Sequence, residues 1–193
     1  SGDKLVIGIC NGFQILMRLG VFCPESSQRL SESSAATSGE AGQKVLAAPA
    51  TLFQNVQARF EDRWVHLASA NTNCVFLNGI QNMYLPIAHA EGRFVLRDKT
   101  ARQQLEENRQ LGLRYSNAAG EVSDETLPFP SNPNGADLNV AGISDPTGRI
   151  FGLMPHPERH LDPTHHPFWT RRDQQPEHGD GMAIFSNAVQ YFA

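Results

Sequence analysis

Hydrophobic and polar positions divide the chain into short apolar runs separated by turn-forming residues. The first run, Leu5-Val6-Ile7-Gly8-Ile9-Cys10, holds one glycine among apolar residues. Such a run predicts a strand buried on both faces, as in a parallel sheet. Phe13, Leu16, Met17 and Gly20 then recur at helical spacing, which predicts a helix from about Asn11 to Leu19 that stops at Gly20. Pro24-Glu25-Ser26-Ser27 predicts a turn, and residues 31–42, poor in large apolar side chains, a surface loop or insertion. Residues 59–68 contain an alternating strand, with Trp64, His66 and Ala68 on one face and Arg63, Val65 and Leu67 on the other. A turn at Asn71-Thr72-Asn73 leads to a short apolar segment, Cys74-Val75-Phe76-Leu77.

Residues 84–94 read as strand again, with Pro86 marking a strand end or an edge. His89 and Glu91 stand two apart, so they share a face wherever the chain is extended. They form either a substrate-side polar pair or a satisfied strand pair. Residues 99–108 predict a solvated surface helix, and residues 111–115 a strand. Residues 116–135 carry Pro128, Pro130 and Pro133 and form a long loop, of a kind that is often functional. Residues 140–154 read as strand, turn, strand around Asp145-Pro146-Thr147-Gly148. A closing helix sets Met182, Phe185, Ala188, Val189 and Phe192 on one face.

Two stretches carry candidate chemistry. Gly8-Ile9-Cys10-Asn11-Gly12 is the G-x-S-x-G nucleophile elbow with sulfur in place of oxygen. A sharp strand-to-helix turn strains the nucleophile and crowds its neighbours, which calls for small residues two before and two after it. The turn puts Cys10 at a helix N-terminus, where the dipole favours thiolate, and aims the Asn11 N–H at a reacting carbonyl oxygen. A buried structural thiol is the other reading of Cys10. The second stretch is Pro155-His156-Pro157-Glu158-Arg159, directly after an apolar strand. Proline keeps the residue before it out of the helical region. His156 and Glu158 can then point the same way, as a base and the carboxylate that orients it. A plain loop histidine is the alternative. His160, His165, His166 and His178 follow with Asp162 and Asp180, but their spacing matches no zinc pattern, so no metal is expected.

The length of 193 residues suits one domain, and 40% hydrophobic with 19% charged content is ordinary for a globular chain. A net charge of -4 offers no electrostatic case for nucleic acid or an anionic membrane. No apolar run approaches a membrane span, and no signal-peptide pattern opens the chain. The cysteines Cys10, Cys23 and Cys74, odd in number and without C-x-x-C spacing, point to a reducing compartment, hence cytoplasm.

The elbow with Phe13-Gln14, and Met154-Pro155-His156-Pro157-Glu158-Arg159, resemble the signature segments of class I (triad-type) glutamine amidotransferases. Arg63-Trp64-Val65, Pro86-Ile87-Ala88-His89-Ala90-Glu91-Gly92 and Asn132-Pro133-Asn134-Gly135 resemble, more narrowly, the glutaminase-subunit family of phosphoribosylformylglycinamidine synthase. The resemblance runs in order along the chain and departs at residues 31–42 and 160–180, both longer than is usual. It implies an α/β, flavodoxin-like three-layer fold with a central mixed, mostly parallel sheet and helices on both faces. It implies that Cys10 attacks the side-chain amide of L-glutamine, that His156 transfers protons, and that Glu158 orients His156. Gln14 would help hold glutamine, and Asn11, Gly12, His89 and Glu91 are the further substrate-side candidates. Ammonia would pass to a large ATP-dependent synthetase, with a small bridging subunit as a further partner. ATP and magnesium would bind that synthetase, since this chain has no phosphate-binding loop. A cysteine hydrolase of another amide and a non-catalytic regulatory subunit are the competing functions.

In the resembled family a glycine-rich oxyanion loop and further strands precede the nucleophile strand. Nine residues precede Cys10 here. The expectation is therefore a single glutaminase domain over residues 1–193 without those upstream strands and loop, a poor glutaminase when isolated and prone to association.

Overall fold

The structure is a computed structural model that describes residues 4–23, 48–69, 72–172 and 176–193. The predicted turn at Pro24, the loop at residues 31–42 and part of the turn at Asn71 lie outside the described residues.

A six-stranded sheet dominates the fold, in the order β1-β8-β7-β6-β3-β4. Its strands are β1 (Val6–Ile9), β3 (Glu61–Ser69), β4 (Asn82–His89), β6 (Leu113–Tyr115), β7 (Val140–Ser144) and β8 (Ile150–Leu153). A separate antiparallel pair joins β2 (Ala50–Phe53) to β5 (Arg93–Leu96). Three α-helices, α1 (Asn11–Arg18), α2 (Lys99–Glu107) and α3 (Met182–Gln190), occur among the described residues. None of them is long and apolar enough to cross a membrane.

The mixed α/β character is as expected, but the sheet is not mostly parallel among the described residues. β1 pairs with β8 in parallel, and the other four ladders are antiparallel. β7 and β8 are joined by the short Asp145 turn, which forces antiparallel pairing. The Asp145 carboxylate organises that turn by accepting from the backbone of Thr147, Arg149 and Ile150 and from the Thr147 hydroxyl. β1 also departs from expectation. It is an edge strand of the described sheet, and Val6 is 43% exposed rather than buried on both faces.

Helices do cover both faces of β8. Phe13 of α1 lies where a Cβ on Gly152 would stand. On the opposite face Phe151 stacks on Phe76, in the 310 turn Val75–Leu77. α3 packs over that turn, with the Asn187 amide donating to the carbonyls of Phe76 and Asn78. The face of α3 is not the predicted one. Ile184 is fully buried, whereas Val189 and Phe192 are 71% and 57% exposed, because Ile184, Asn187 and Ala188 turn toward the 310 segment. α1 ends as predicted, with Gly20 in the left-handed region. α2 begins at Asp98, whose carboxylate accepts from Ala101 N.

Following the ladders outward, β4 points the same way as β1 and β8, from the opposite edge of the sheet. A flat six-stranded sheet would hold its edge strands about 24 Å apart. Here the sheet curls until the carboxyl end of β4 meets the ends of β1 and β8. His156 N donates to Pro86 O at 2.8 Å, and the Cys10 thiol lies 3.9 Å from Ala88 O.

The outward edge of β4 is otherwise met by His160 and Asp180. His160 Nδ1 donates to Tyr84 O, and Tyr84 N donates to the Asp180 carboxylate. Pro86 has no N–H to leave open, in keeping with the edge position that proline predicts. His160 and His166 lie against Trp64 and Tyr84, which with His66 form one aromatic cluster. These histidines therefore serve packing, and no metal-holding group of side chains occurs among the described residues.

Burial lowers the pKa of His66, of His160 and of His166, partly opposed by the Asp180 charge. The unfolded chain then binds more protons than the folded one below about pH 6.5, so the stabilisation is complete above that value and is lost as pH falls. The urea midpoint should drop between about pH 7.5 and pH 5.5, and by less in His160→Phe than in the parent protein. A midpoint that is level or rises over that interval would contradict this reading.

Candidate active site

Cys10 sits between the last residue of β1 and the first of α1, at φ 52° and ψ -107°. A non-glycine residue with positive φ is strained, as the elbow requires. Two backbone bonds fix it, from Cys10 N to Leu153 O (2.8 Å) and from Gln14 N to Cys10 O (3.2 Å). The glycine before it is required by space. A Cβ on Gly8 would stand 2.8 Å from the backbone carbonyl of Gly12 and 2.5 Å from Leu16 Cδ1. Gly12 itself is not so constrained, since a Cβ there would meet nothing within 4 Å. The elbow crowds inward toward Gly8, while Gly12 opens outward.

His156 follows β8 by three residues, just as Cys10 directly follows β1. The parallel register Ile9↔Leu153 therefore delivers both to the same end of the sheet. His156 has φ -107° and ψ 84°, outside the helical region as its proline neighbour demands. Glu158 is not on an extended segment, however. It lies in a 310 turn, Pro157–Arg159, that swings its carboxylate back onto His156 Nδ1 at 2.5 Å. That bond places the Nδ1 proton toward Glu158 and leaves Nε2 of the neutral ring as an acceptor. Nε2 is buried without a partner among the described residues.

A cleft of about 530 Å³ brings the candidates together. Cys10, Asn11, Gln14, His89, Glu91 and His156 all line it, as does Arg159. Glu158 stands behind His156, and Gly12 is absent from the lining. Gln14 spans the cleft, donating from Nε2 to Glu91 O at 2.7 Å. His89 ends β4 and is buried, whereas Glu91 lies beyond the strand and is exposed. The two are thus not a strand pair.

Burial pushes the Cys10 thiol above its ordinary value, and the Glu158 charge adds to this. The Asn11 N–H and the Arg159 guanidinium oppose the shift. The dipole argument for a resting thiolate is therefore outweighed by desolvation, and Cys10 needs a base to ionise it. Cys74 is held still higher, at about 12, by its burial. His89 is pushed down to about 4 by burial and by the neighbouring His156, so it is neutral at physiological pH.

Comparison with known proteins matches residues 1–192 to the CobB/CobQ-like glutamine amidotransferase domain. The phosphoribosylformylglycinamidine synthase subunit PurQ of Methanococcus maripaludis is 40% identical over 201 residues, spanning 100% of this chain and 67% of that protein. The chain belongs to the PurQ-type class I glutamine amidotransferases. PurQ of Dehalococcoides mccartyi is 37% identical, over 97% of this chain and 63% of that one. The solved structure of PurLQS from Thermotoga maritima aligns with a TM-score of 0.60 and 28% identity, over 98% of this chain and 62% of that chain. The amidotransferase chain thus spans about two thirds of the length of the curated relatives it matches.

Three residues of the site were not singled out from sequence. Arg159 adjoins the His156 motif, so its position was the available signal. Phe60 lines the cleft mouth, 62% exposed. Asn55 lies in an irregular loop with no motif, and its part emerges from its hydrogen bonds alone.

Because burial holds the Cys10 thiol up, its alkylation by iodoacetamide in the free protein should still be accelerating near pH 9. Cys23 and Cys74, both buried, should stay unmodified until the protein unfolds. A Cys10 rate that levels off below neutral pH would show a resting thiolate and contradict this electrostatic account.

Proposed function

We propose that this chain hydrolyses the side-chain amide of L-glutamine through a thioester on Cys10 and supplies the ammonia to a synthetase partner. The observation that carries the reading is the convergence of Cys10 and the Glu158-oriented His156 on one cleft, from two strands in parallel register. His156 Nε2 takes the Cys10 proton as Sγ attacks the carboxamide carbon. The Asn11 N–H, at the start of α1, meets the oxyanion that forms. His156 then passes the proton to the nitrogen, the C–N bond breaks, and ammonia leaves. Water attacks the γ-glutamyl thioester with His156 as base, which returns the Cys10 thiol and releases glutamate. Glu158 holds the His156 tautomer throughout and stabilises the imidazolium.

The cleft lining also suits an α-amino acid. Arg159 offers a guanidinium to the α-carboxylate, and Glu91 a carboxylate to the α-ammonium. Asn11 and Gln14, at the start of α1, add polar groups to the lining. Gln14 has one amide N–H committed to Glu91 O and keeps its carbonyl oxygen available.

The relatives' names, phosphoribosylformylglycinamidine synthase subunit PurQ and PurLQS, support a synthase partner for this ammonia; in this reading a large synthetase subunit converts formylglycinamide ribonucleotide to the amidine in purine biosynthesis, with a small bridging subunit completing the assembly. ATP and magnesium belong to the synthetase in this reading. That Cys10, Cys23 and Cys74 are not joined to one another by a disulfide suits a reducing cytoplasm.

Cys10→Ser should lower glutamine-dependent turnover by at least about 10³-fold while leaving ammonia-dependent synthesis by the partner intact. His156→Ala should match it, and Glu158→Gln should cost less, since Glu158 orients and does not transfer a proton. A glutamine-like electrophile should label the protein once, at Cys10. Steady-state assays on the full-length protein with its synthetase check all three variants. Glutamine turnover that survives Cys10→Ser would overturn the mechanism.

A further inference from the structure

His89 carries more than a place in the lining. Asn55 fixes its tautomer. The Asn55 Nδ2 donates to Arg59 O (3.0 Å) and to His89 O (2.9 Å), so its Oδ1 faces the other way. That oxygen accepts from Gly92 N and stands 3.2 Å from His89 Nδ1. An acceptor at Nδ1 requires the proton there, so a neutral His89 ring is a lone-pair acceptor at Nε2. Nε2 is buried and has no partner among the described residues.

The ring is also held in place. It lies where a Cβ on Gly92 would stand, so residue 92 has to be glycine for the ring to occupy this position. Asn134, from the long loop after β6, braces Gly92 from behind by donating to its carbonyl and to the Tyr115 hydroxyl. Three elements thus converge to keep one imidazole in one orientation and one tautomer. A buried lone pair without a donor costs free energy, and this one belongs to a residue that lines the same cleft as Cys10 and His156, where a ligand N–H is the group that would satisfy it.

We propose that His89 is a specificity residue: its Nε2 accepts a hydrogen bond from the carboxamide N–H of glutamine and turns away the carboxylate of glutamate. The proposal rests on the glutaminase reading above and deepens it. Glutamine brings two N–H donors to the reacting end of its side chain. Glutamate at neutral pH brings none, and its carboxylate would face the lone pair of a neutral imidazole. Burial and the adjacent His156 keep that imidazole neutral. The same contact would orient the leaving nitrogen toward His156 and speed the departure of glutamate once the thioester is hydrolysed. A site built around a hydrogen bond rejects the ligand that lacks it far better than an apolar pocket does.

The test is the ratio of the glutamate inhibition constant to the glutamine KM, in the full-length protein with its synthetase. His89→Asn keeps an amide near the Nδ1 position, and with it the contact to Asn55, but removes Nε2. That ratio should fall at least about tenfold in His89→Asn, and His89→Gln, which restores an acceptor near Nε2, should recover most of it. A loss of kcat/KM with an unchanged ratio would reduce His89 to a structural role and overturn the proposal. Nitrogen NMR of the Cys10→Ser protein gives a second reading that needs no change at His89. The His89 Nε2 resonance should be that of an unprotonated nitrogen and should shift on adding L-glutamine but not L-glutamate. Equal shifts, or a protonated Nε2, would also overturn the proposal. Parent protein that hydrolyses no glutamine would remove the proposed function and this role together, whereas parent turnover with an unchanged ratio removes the role alone.

Discussion

The open edge of β4 is the constraint on which the rest depends. Its outward backbone groups at Tyr84, Pro86 and Ala88 have no neighbouring strand among the described residues. They are met instead by residues from elsewhere: Asp180 and His160 at Tyr84, His156 N at Pro86, and the Cys10 thiol at Ala88. An edge strand left bare invites pairing with another chain, and here the edge is used to assemble a site. Pro86 contributes by what it lacks, since a backbone N–H there would need its own partner. The curl of the sheet follows from the same contacts, because they can form only when β4 approaches β1 and β8.

From that closure the chemistry follows with little further adjustment. The parallel register of β1 and β8 fixes where Cys10 and His156 emerge, and β4 holds His156 by its backbone. Glu158 then needs only a short 310 turn to reach the imidazole. The cost is desolvation: half-burying a thiol makes it a worse acid, and the partial charges of a helix start do not offset this. The proposed mechanism therefore starts from a thiol and a base rather than a standing thiolate. His89 is buried and driven neutral, so the proposed mechanism does not use it as the proton carrier.

Much of this was legible in the residues. The elbow announced itself through Gly8, whose Cβ has no room, and the strand-to-helix switch fell where periodicity put it. Pro86 announced an edge. The Asp145 turn announced a hairpin. What was not legible was relation across distance. An apolar run such as that at Leu5 does not say whether its neighbours run parallel or antiparallel, so a mostly parallel sheet was expected where four of the five ladders are antiparallel, one of them imposed by the Asp145 hairpin. Gly12 looked sterically equivalent to Gly8 and is not. The amphipathic pattern of the last helix favoured Val189 and Phe192 by hydrophobicity, while the 310 turn at Val75–Leu77 selects Ile184 by position. Asn55 had no signature, because its role is a set of hydrogen bonds to residues more than thirty positions away as well as to its own loop.

The central claim is that Cys10, brought to the same end of the sheet as His156 by the parallel register of β1 and β8, forms a bond to the substrate. Acid-quenching the full-length protein during turnover with isotopically labelled L-glutamine, then mapping peptides by mass spectrometry, tests this most directly. The account predicts one labelled glutamyl group on the peptide that contains Cys10, without the amide nitrogen. Catalytic turnover with no glutamyl adduct on Cys10 at any quench time, or an adduct on Cys23 or Cys74 instead, would contradict it.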